Sequence, residues 1–305
     1  VKKETAQSYG YIISAVFLWA TIEIIMQIIK DDTSGIIINF FRFFIGGITL
    51  FVYSFSIHKT RSLKTFFVRY PKYYLPAAFF GLTLGMLLFS IGTLKTEAFM
   101  AATIISSNPI IISFFMIVFQ GEKRNPGKIG GIILGFVGIV IIITELQFAA
   151  FLDSEYLVGN MLVFLGTILW SLDLIIGKIL FNKSKTNPEE FQASSLDFNT
   201  VTFFITTLFM IPFLFLPGEW TILTSQSLST WGALLYLGIF PTGVSYLLFF
   251  KGIQRMEVSR GANLFYLKPI FAVILAALIL QGQPSIFFFL GLGVEIIALF
   301  LISKY

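Results

Sequence analysis

Residues 92–109 begin Gly92-Thr93-Leu94-Lys95-Thr96-Glu97 and end Ser106-Ser107-Asn108-Pro109; 160 positions later the chain reads Gly252-Ile253-Gln254-Arg255-Met256-Glu257 and runs on to Lys268-Pro269. In that register Gly92 falls on Gly252, Lys95 on Arg255, Glu97 on Glu257, Ala102 on Ala262 and Pro109 on Pro269. Each copy opens on a short polar turn and continues as an apolar helix with its proline near the middle. A duplicated, proline-interrupted apolar segment predicts a chain made of two like halves with a shared site between them.

The rest of the composition places those helices in lipid. Of 305 residues 56% are hydrophobic, only 12% are charged, and 37 are phenylalanine, more apolar surface than a soluble fold of this length can hide. Cysteine is absent and His58 is the lone histidine, which removes thiolate chemistry, disulfides and multi-histidine metal sites. No cofactor and no metal are therefore expected.

Apolar runs long enough to cross a bilayer fall at 9–29, 36–57, 74–93, 98–119, 128–144, 157–181, 196–216, 231–250, 258–280 and 285–303. The expected fold is an all-α integral membrane protein, ten transmembrane helices arranged as two inverted five-helix repeats. Residues 1–150 would be the first repeat and 151–305 the second. The first run is too long for a signal peptide and lacks a small-x-small cleavage site, so it is expected as a retained helix.

Charge gives the orientation. With the N-terminus in the cytoplasm, the inner loops collect Lys59, Arg61, Lys64, Arg69, Lys72, Lys123, Arg124, Lys128, Lys183, Lys185 and Lys251, while the outer loops hold mostly acids such as Asp31, Asp32, Glu145, Asp153 and Glu219. The formal net charge of +5 is thus an insertion signal and not a nucleic-acid patch. Both termini are expected to be cytoplasmic, in the plasma membrane. Five helices per half is an odd number, so the halves enter from opposite sides and relate by a pseudo-twofold axis in the membrane plane. Trp19 and Trp170 mark the matching openings.

The run from Gly92 to Pro109, followed by Gly121-Glu122 and by Gly130-Gly131 to Gly138, resembles the EamA-type module of the drug/metabolite transporter superfamily; Trp19 and Phe41-Arg42-Phe43 resemble its first two helices. The second half repeats the module through Trp170, Gly252 to Pro269, and Gly291 to Gly293. It departs from the pattern at Gly282-Gln283, where Gly-Glu is common, and at Lys268, where many modules carry an acid before the proline. The resemblance implies a secondary transporter that exports or exchanges small metabolites such as amino acids.

The candidate site residues gather around the two prolines. A proline in mid-helix frees backbone groups, and irregular backbone at membrane depth is tolerated only against protein or a water-filled cavity. Ser106 and Asn108 flank the first proline; Asn263, Tyr266 and Lys268 flank the second. A lysine at that depth costs about 2.5–3.5 kcal/mol to insert. Lys268 either anchors an anionic group of a substrate or forms an ion pair with Asp173 or Glu23. Glu23 follows Trp19 by four residues and Asp173 follows Trp170 by three, which puts acid and indole on one helical face. Two roles follow for each acid: a proton-coupling site, or part of a cage for a cationic or zwitterionic ligand.

Arg42 is expected near the outer part of the second helix, in a vestibule or paired with Asp31 or Asp32. Glu295 is expected as a packing or dimer contact. The glycines at 130, 131, 135 and 138 read as close helix packing of the small-xxx-small type.

The sequence thus points to a transporter of amino acids or related carboxylates working by alternating access, with proton coupling as one option. Its partners are a small-molecule substrate and membrane lipid, with no nucleic acid, as monomer or homodimer. A rival reading is a transporter of quaternary ammonium compounds held by the tryptophan-acid faces. A lipid-modifying membrane enzyme would need an acid–base or metal cluster that His58 alone does not supply.

Overall fold

A computed structural model describes residues 2–57, 60–119, 125–146, 156–186, 193–253 and 264–304. Among these residues the fold is all helical. Its elements are α1 (Lys2–Ile28), α2 (Gly35–Ser56), α3 (Thr60–Arg69), α4 (Pro71–Thr93), α5 (Ala98–Phe119), α6 (Pro126–Thr144), α7 (Leu157–Thr186), α8 (Ser195–Phe215), α9 (Glu219–Thr224), α10 (Leu228–Gly252), α11 (Leu267–Ile279) and α12 (Ile286–Lys304). Eight of these helices contain a stretch long and apolar enough to cross a membrane; α11 and α12 supply shorter apolar segments, Leu267–Ile279 and Ile286–Ile302. The expected ninth run began at 258, and its residues 258–263 lie outside the described ones.

Local chemistry sets the helix starts. Ser34, Asn125, Ser194 and Ser227 sit in extended backbone and accept from the N–H groups of Ile37, Gly127, Asp197 and Thr230. Each removes a donor that would otherwise lack an intrahelical partner. Pro126 occupies the first turn of α6, where its missing N–H costs nothing.

Helices in lipid gain little from hiding one apolar face against another, so close approach of backbones must hold them together. Glycine provides it. A Cβ added at Gly166 of α7 would lie 2.6 Å from the carbonyl oxygen of Gly85 in α4, and one at Gly159 would lie 2.4 Å from that of Lys95. In the same way Gly238 and Gly243 of α10 abut Ile45 and Thr49 of α2, and Gly252 abuts Ile12 of α1. So α4 packs on α7 and α8, while α10 packs on α1 and α2. Helices α6 and α12 form a separate pair in which Gly131 and Gly138 face Ala298 and Gly291. Of the glycine series expected to pack, Gly131, Gly135 and Gly138 do so, while Gly130 has nothing within 4 Å.

Three features were not anticipated. Residues 77–85 of α4 and 238–244 of α10 are wound as π-helix, and the 160-residue register lays the second on the first, Gly238 on Ala78 and Val244 on Leu84. The segment after His58, read as an inner loop, forms helix α3. Its Leu63 and Phe66, with Tyr70 just beyond, are buried against Tyr74, Leu180, Phe198 and Val201, and Ser62 donates to Asp197 at 2.8 Å. Beyond the left-handed Gly218, the short helix α9 brings Glu219 to accept from the Ser34 hydroxyl.

The proline segments break as their sequence requires. Helix α5 divides at Ser107, which takes a bond from Ile110 while donating its own N–H to Ile104, so Pro109 falls in the first turn of a new helical segment, Asn108–Phe119. In the second copy a 3₁₀ turn at Leu264–Tyr266 leads into α11, with Lys268 and Pro269 in its first turn. Proline is tolerated at a helix's first turn and not in its interior.

Candidate functional site

Between these breaks lies a cavity of about 250 Å³. From the first half it is lined by Trp19 and Ile22 (α1), Arg42 and Phe43 (α2), Leu82, Met86 and Phe89 (α4) and Ile105 and Asn108 (α5). From the second it is lined by Trp170 and Asp173 (α7), Asn199 (α8), Thr242 and Tyr246 (α10) and Phe265 and Lys268 (beside and in α11). The lining extends toward the end of the bundle that carries the N-terminus, to Gly177, Phe181, Phe198 and Phe250.

At the opposite end polar contacts tie the helices together. Gln27, near the end of α1, donates to the carbonyls of Thr93 and Thr96 where α4 turns into α5. Thr96 donates to Asn160, and Gln226 donates to Thr33 at 2.8 Å. Beyond those contacts a second cavity of about 330 Å³ is lined by Lys30, Glu97, Phe99, Tyr156 and Leu280.

Lys268 Nζ lies 2.6 Å from Glu23 Oε1, and both side chains are buried, at 3% and 0% exposure. Of the two options the sequence left open for Lys268, this structure holds the ion pair, and with Glu23 rather than Asp173. Asp173 on α7 is equally buried, and its Oδ1 has no hydrogen-bond partner. Its backbone is pressed against α4, where a Cβ on Gly81 would come within 2.5 Å of Asp173 Cβ. Trp19 sits in an aromatic box of Tyr246, Phe249 and Phe265 at centroid distances of 5.2–5.6 Å. Trp170 also lines the cavity, with its Nε1 unpartnered.

The remaining expected residues divide. Asn108 reaches the cavity and donates to Ser171 at 2.9 Å. Ser106 is buried but turns back to donate to the Ala102 carbonyl at 2.6 Å, and it is not part of the cavity wall. Asn263 lies outside the described residues, and of Tyr266 only the backbone of the 3₁₀ turn is described.

Arg42 is the correction. It neither reaches an outer vestibule nor meets Asp31 or Asp32; Asp32 instead accepts from Thr230. Arg42 is 3% exposed, lines the cavity, and donates through Nε to Thr242 at 3.4 Å. Its guanidinium lies 5.8 Å from the Phe43 ring centroid and 6.0 Å from that of Phe89. The signal was available: Arg42 is the eighth residue of α2, about 10 Å below its start. An ionisable residue at such depth is a site candidate by default.

The model of the EamA-like transporter family matches residues 7–144 and matches again over residues 157–304. The chain belongs to the EamA-like transporter family. It is a multi-pass membrane protein, as the duplicated motifs implied. Among proteins similar to it is an uncharacterized transporter of Archaeoglobus fulgidus, 27% identical over 199 residues, which cover 64% of this chain and 63% of that protein, just under two thirds of its length. Two more, YvbV and YoaV of Bacillus subtilis, also bear the name uncharacterized transporter. They are 24% and 21% identical over 86% and 92% of this chain, and over 80% and 91% of their own lengths. A solved structure titled only as the crystal structure of a protein superposes with a TM-score of 0.64 at 17% identity, over 98% of this EamA-like chain and 95% of the other, and shares the fold.

Proposed function

We propose that this EamA-like protein is a secondary transporter of small carboxylate-bearing metabolites, amino acids foremost, working by alternating access. The observation that carries the reading is the mid-bundle cavity with a buried ion pair at the helix breaks, its lining reaching toward one end of the bundle and the bonds of Gln27 and Thr96 tying the helices at the other. A substrate site at helix breaks between two halves is how repeat-built transporters place their ligand at mid-membrane.

In this reading the chain is ten transmembrane helices in two inverted repeats, residues 1–150 and 151–305. The double family match, the π segments in register and the reciprocal packing of α4 on α7 and α10 on α1 support it. Both termini face the cytoplasm of a plasma membrane, as the loop charges favour. The cavity is then open to the inside, with the second cavity as the outer vestibule.

The Lys268–Glu23 pair is the coupling element. Protonating Glu23 would remove its attraction for Lys268 and free α11 from α1, so proton movement and rocking of the halves become one event. Asp173 is left for the substrate. The quaternary ammonium reading draws on the aromatic box around Trp19, but the ammonium in that part of the site is already supplied by the protein, as Lys268.

Proteoliposomes loaded at one pH and diluted into another test the proposal. Uptake of a labelled amino acid should follow the proton gradient in the wild type, and Glu23→Gln should carry out exchange without responding to the gradient. Uptake no greater than that of empty vesicles for amino acids and organic anions alike would reject it.

A further inference from the structure

The cavity's charges do not close among themselves. Arg42, Lys268 and Asp173 line the cavity, and Glu23 sits beside it against Lys268. Lys268 and Glu23 pair through Oε1 at 2.6 Å, with Glu23 Oε2 left without a partner. Among the described residues Arg42 and Asp173 form no ion pair with each other or with anything else, although both line the cavity and both lie within electrostatic reach of Tyr246. One buried cation and one buried acid are therefore left over.

Their polar atoms are left over too. Arg42 is held at one corner only, by the bond from Nε to Thr242; the Thr242 hydroxyl in turn donates to the Leu237 carbonyl, which fixes it as an acceptor for the arginine. Arg42 Nη1 has no partner, nor have Trp170 Nε1 and Asp173 Oδ1. A buried polar group without a partner costs free energy, and a buried charge costs more. Proteins keep such groups where a ligand completes them. Arg42 and Trp170 offer donors only, while a carboxylate offers acceptors only.

We infer that Arg42 and Asp173 are the two poles of a zwitterion site, Arg42 with Trp170 Nε1 receiving the substrate carboxylate and Asp173 receiving its ammonium. This rests on the transport reading above and sharpens it in one respect: the anion anchor is Arg42, because Lys268 is already committed to Glu23. Glu23 lends Arg42 electrostatic support from behind Lys268 without itself lining the cavity. A planar guanidinium whose Nε end is fixed presents its remaining N–H groups as a fork matched to a carboxylate.

The rest of the wall suits the remainder of such a molecule. Ile22, Phe43, Leu82, Met86 and Phe89 are apolar, and the volume of about 250 Å³ is small for a ligand pocket. A free amino acid leaves neither pole unmatched. A simple carboxylate leaves Asp173 buried and unpaired, and a simple amine does the same to Arg42. Glycine at position 81 is part of the device, since any side chain there would displace Asp173.

The test is thermal stabilisation of the purified full chain by leucine, phenylalanine and glutamine. Each is run beside its methyl ester, its N-acetyl derivative and the amine left on removing its carboxyl group. Wild type should prefer the free amino acid over each derivative by about 10-fold to 100-fold in apparent Kd, the worth of one hydrogen bond to a charged group. Arg42→Gln should lose the preference over ester and amine while keeping that over the N-acetyl form, and Asp173→Asn should do the reverse. Arg42→Lys, which keeps the charge but not the fork, should fall between and serves if Arg42→Gln does not fold. Unchanged preference ratios in these variants would overturn the assignment and leave the transport reading standing. A wild type that no amino acid stabilises would overturn both.

Discussion

Lys268→Ala would leave Glu23 buried at 0% exposure with neither oxygen bonded, because Oε2 already lacks a partner and Oε1 would lose the ammonium at 2.6 Å. Breaking a buried pair by removing one partner costs about 3–5 kcal/mol, most of it the stranded charge and not the lost attraction. Replacing both partners with neutral groups of similar size is close to neutral by the same reasoning. The expected pattern is therefore a large loss for Lys268→Ala and for Lys268→Met, a similar loss for Glu23→Gln with the lysine stranded instead, and near-recovery in the double variant Glu23→Gln/Lys268→Met. Unfolding in mixed micelles reads it out, with Trp19 and Trp170 as reporters in the cavity wall. Near-recovery in the double variant means a coupling between the two positions at least as large as one single loss, about 3 kcal/mol or more. Losses that add to within about 0.5 kcal/mol would refute the reasoning, since two groups that add independently do not neutralise each other.

Other perturbations probe the packing and the seal. Gly85→Ala would set a Cβ 2.8 Å from the Trp170 backbone nitrogen and 3.0 Å from the Gly166 carbonyl oxygen. Overpacking of this kind costs about 1–3 kcal/mol and should lower the melting temperature, whereas Gly130→Ala, with nothing within 4 Å, should leave it unchanged. Gln27→Ala removes two hydrogen bonds at the tied end. At about 1 kcal/mol each, their loss should favour opening there on the order of 30-fold, seen as faster labelling of a cavity cysteine from that side. Phe66→Ala removes the fully buried ring that seats α3 on Tyr74 and Phe198. It should cost about 3–5 kcal/mol and expose the α3 segment to trypsin.

The helices were legible because bilayer thickness demands long apolar runs, and the duplicated proline segments located the cavity because proline cannot sit quietly inside a helix. Helical spacing placed Trp170 and Asp173 together in the cavity wall, whereas Trp19 lines the cavity and Glu23 does not, meeting Lys268 instead. Other residues escaped for identifiable reasons. Arg42 was paired in sequence with the nearby acids Asp31 and Asp32, but a side chain's partners in a bundle come from other helices; here they are Thr242 of α10 and the rings of Phe43 and Phe89. Ser106 is polar and adjacent to the break, yet a serine hydroxyl reaches its own helix carbonyl as easily as a cavity. The π segments leave no trace in hydropathy. Helix α3 hid among five cations, since Leu63, Phe66 and Tyr70 make an apolar face only when wound at helical spacing.

A cavity that opens to one side at a time is tested most directly by cysteine labelling, for which this cysteine-free chain is a clean background. Met86→Cys places a thiol in the cavity wall, nearer the Thr93 end of α4. A membrane-impermeant maleimide should label it from the side of the termini in resting vesicles. With Gln27→Ala in the same chain, labelling should appear from the opposite side and fall on the first in proportion. A thiol reached from both sides at full rate would describe a channel, and one reached from neither would mean that the cavity is not on the transport path.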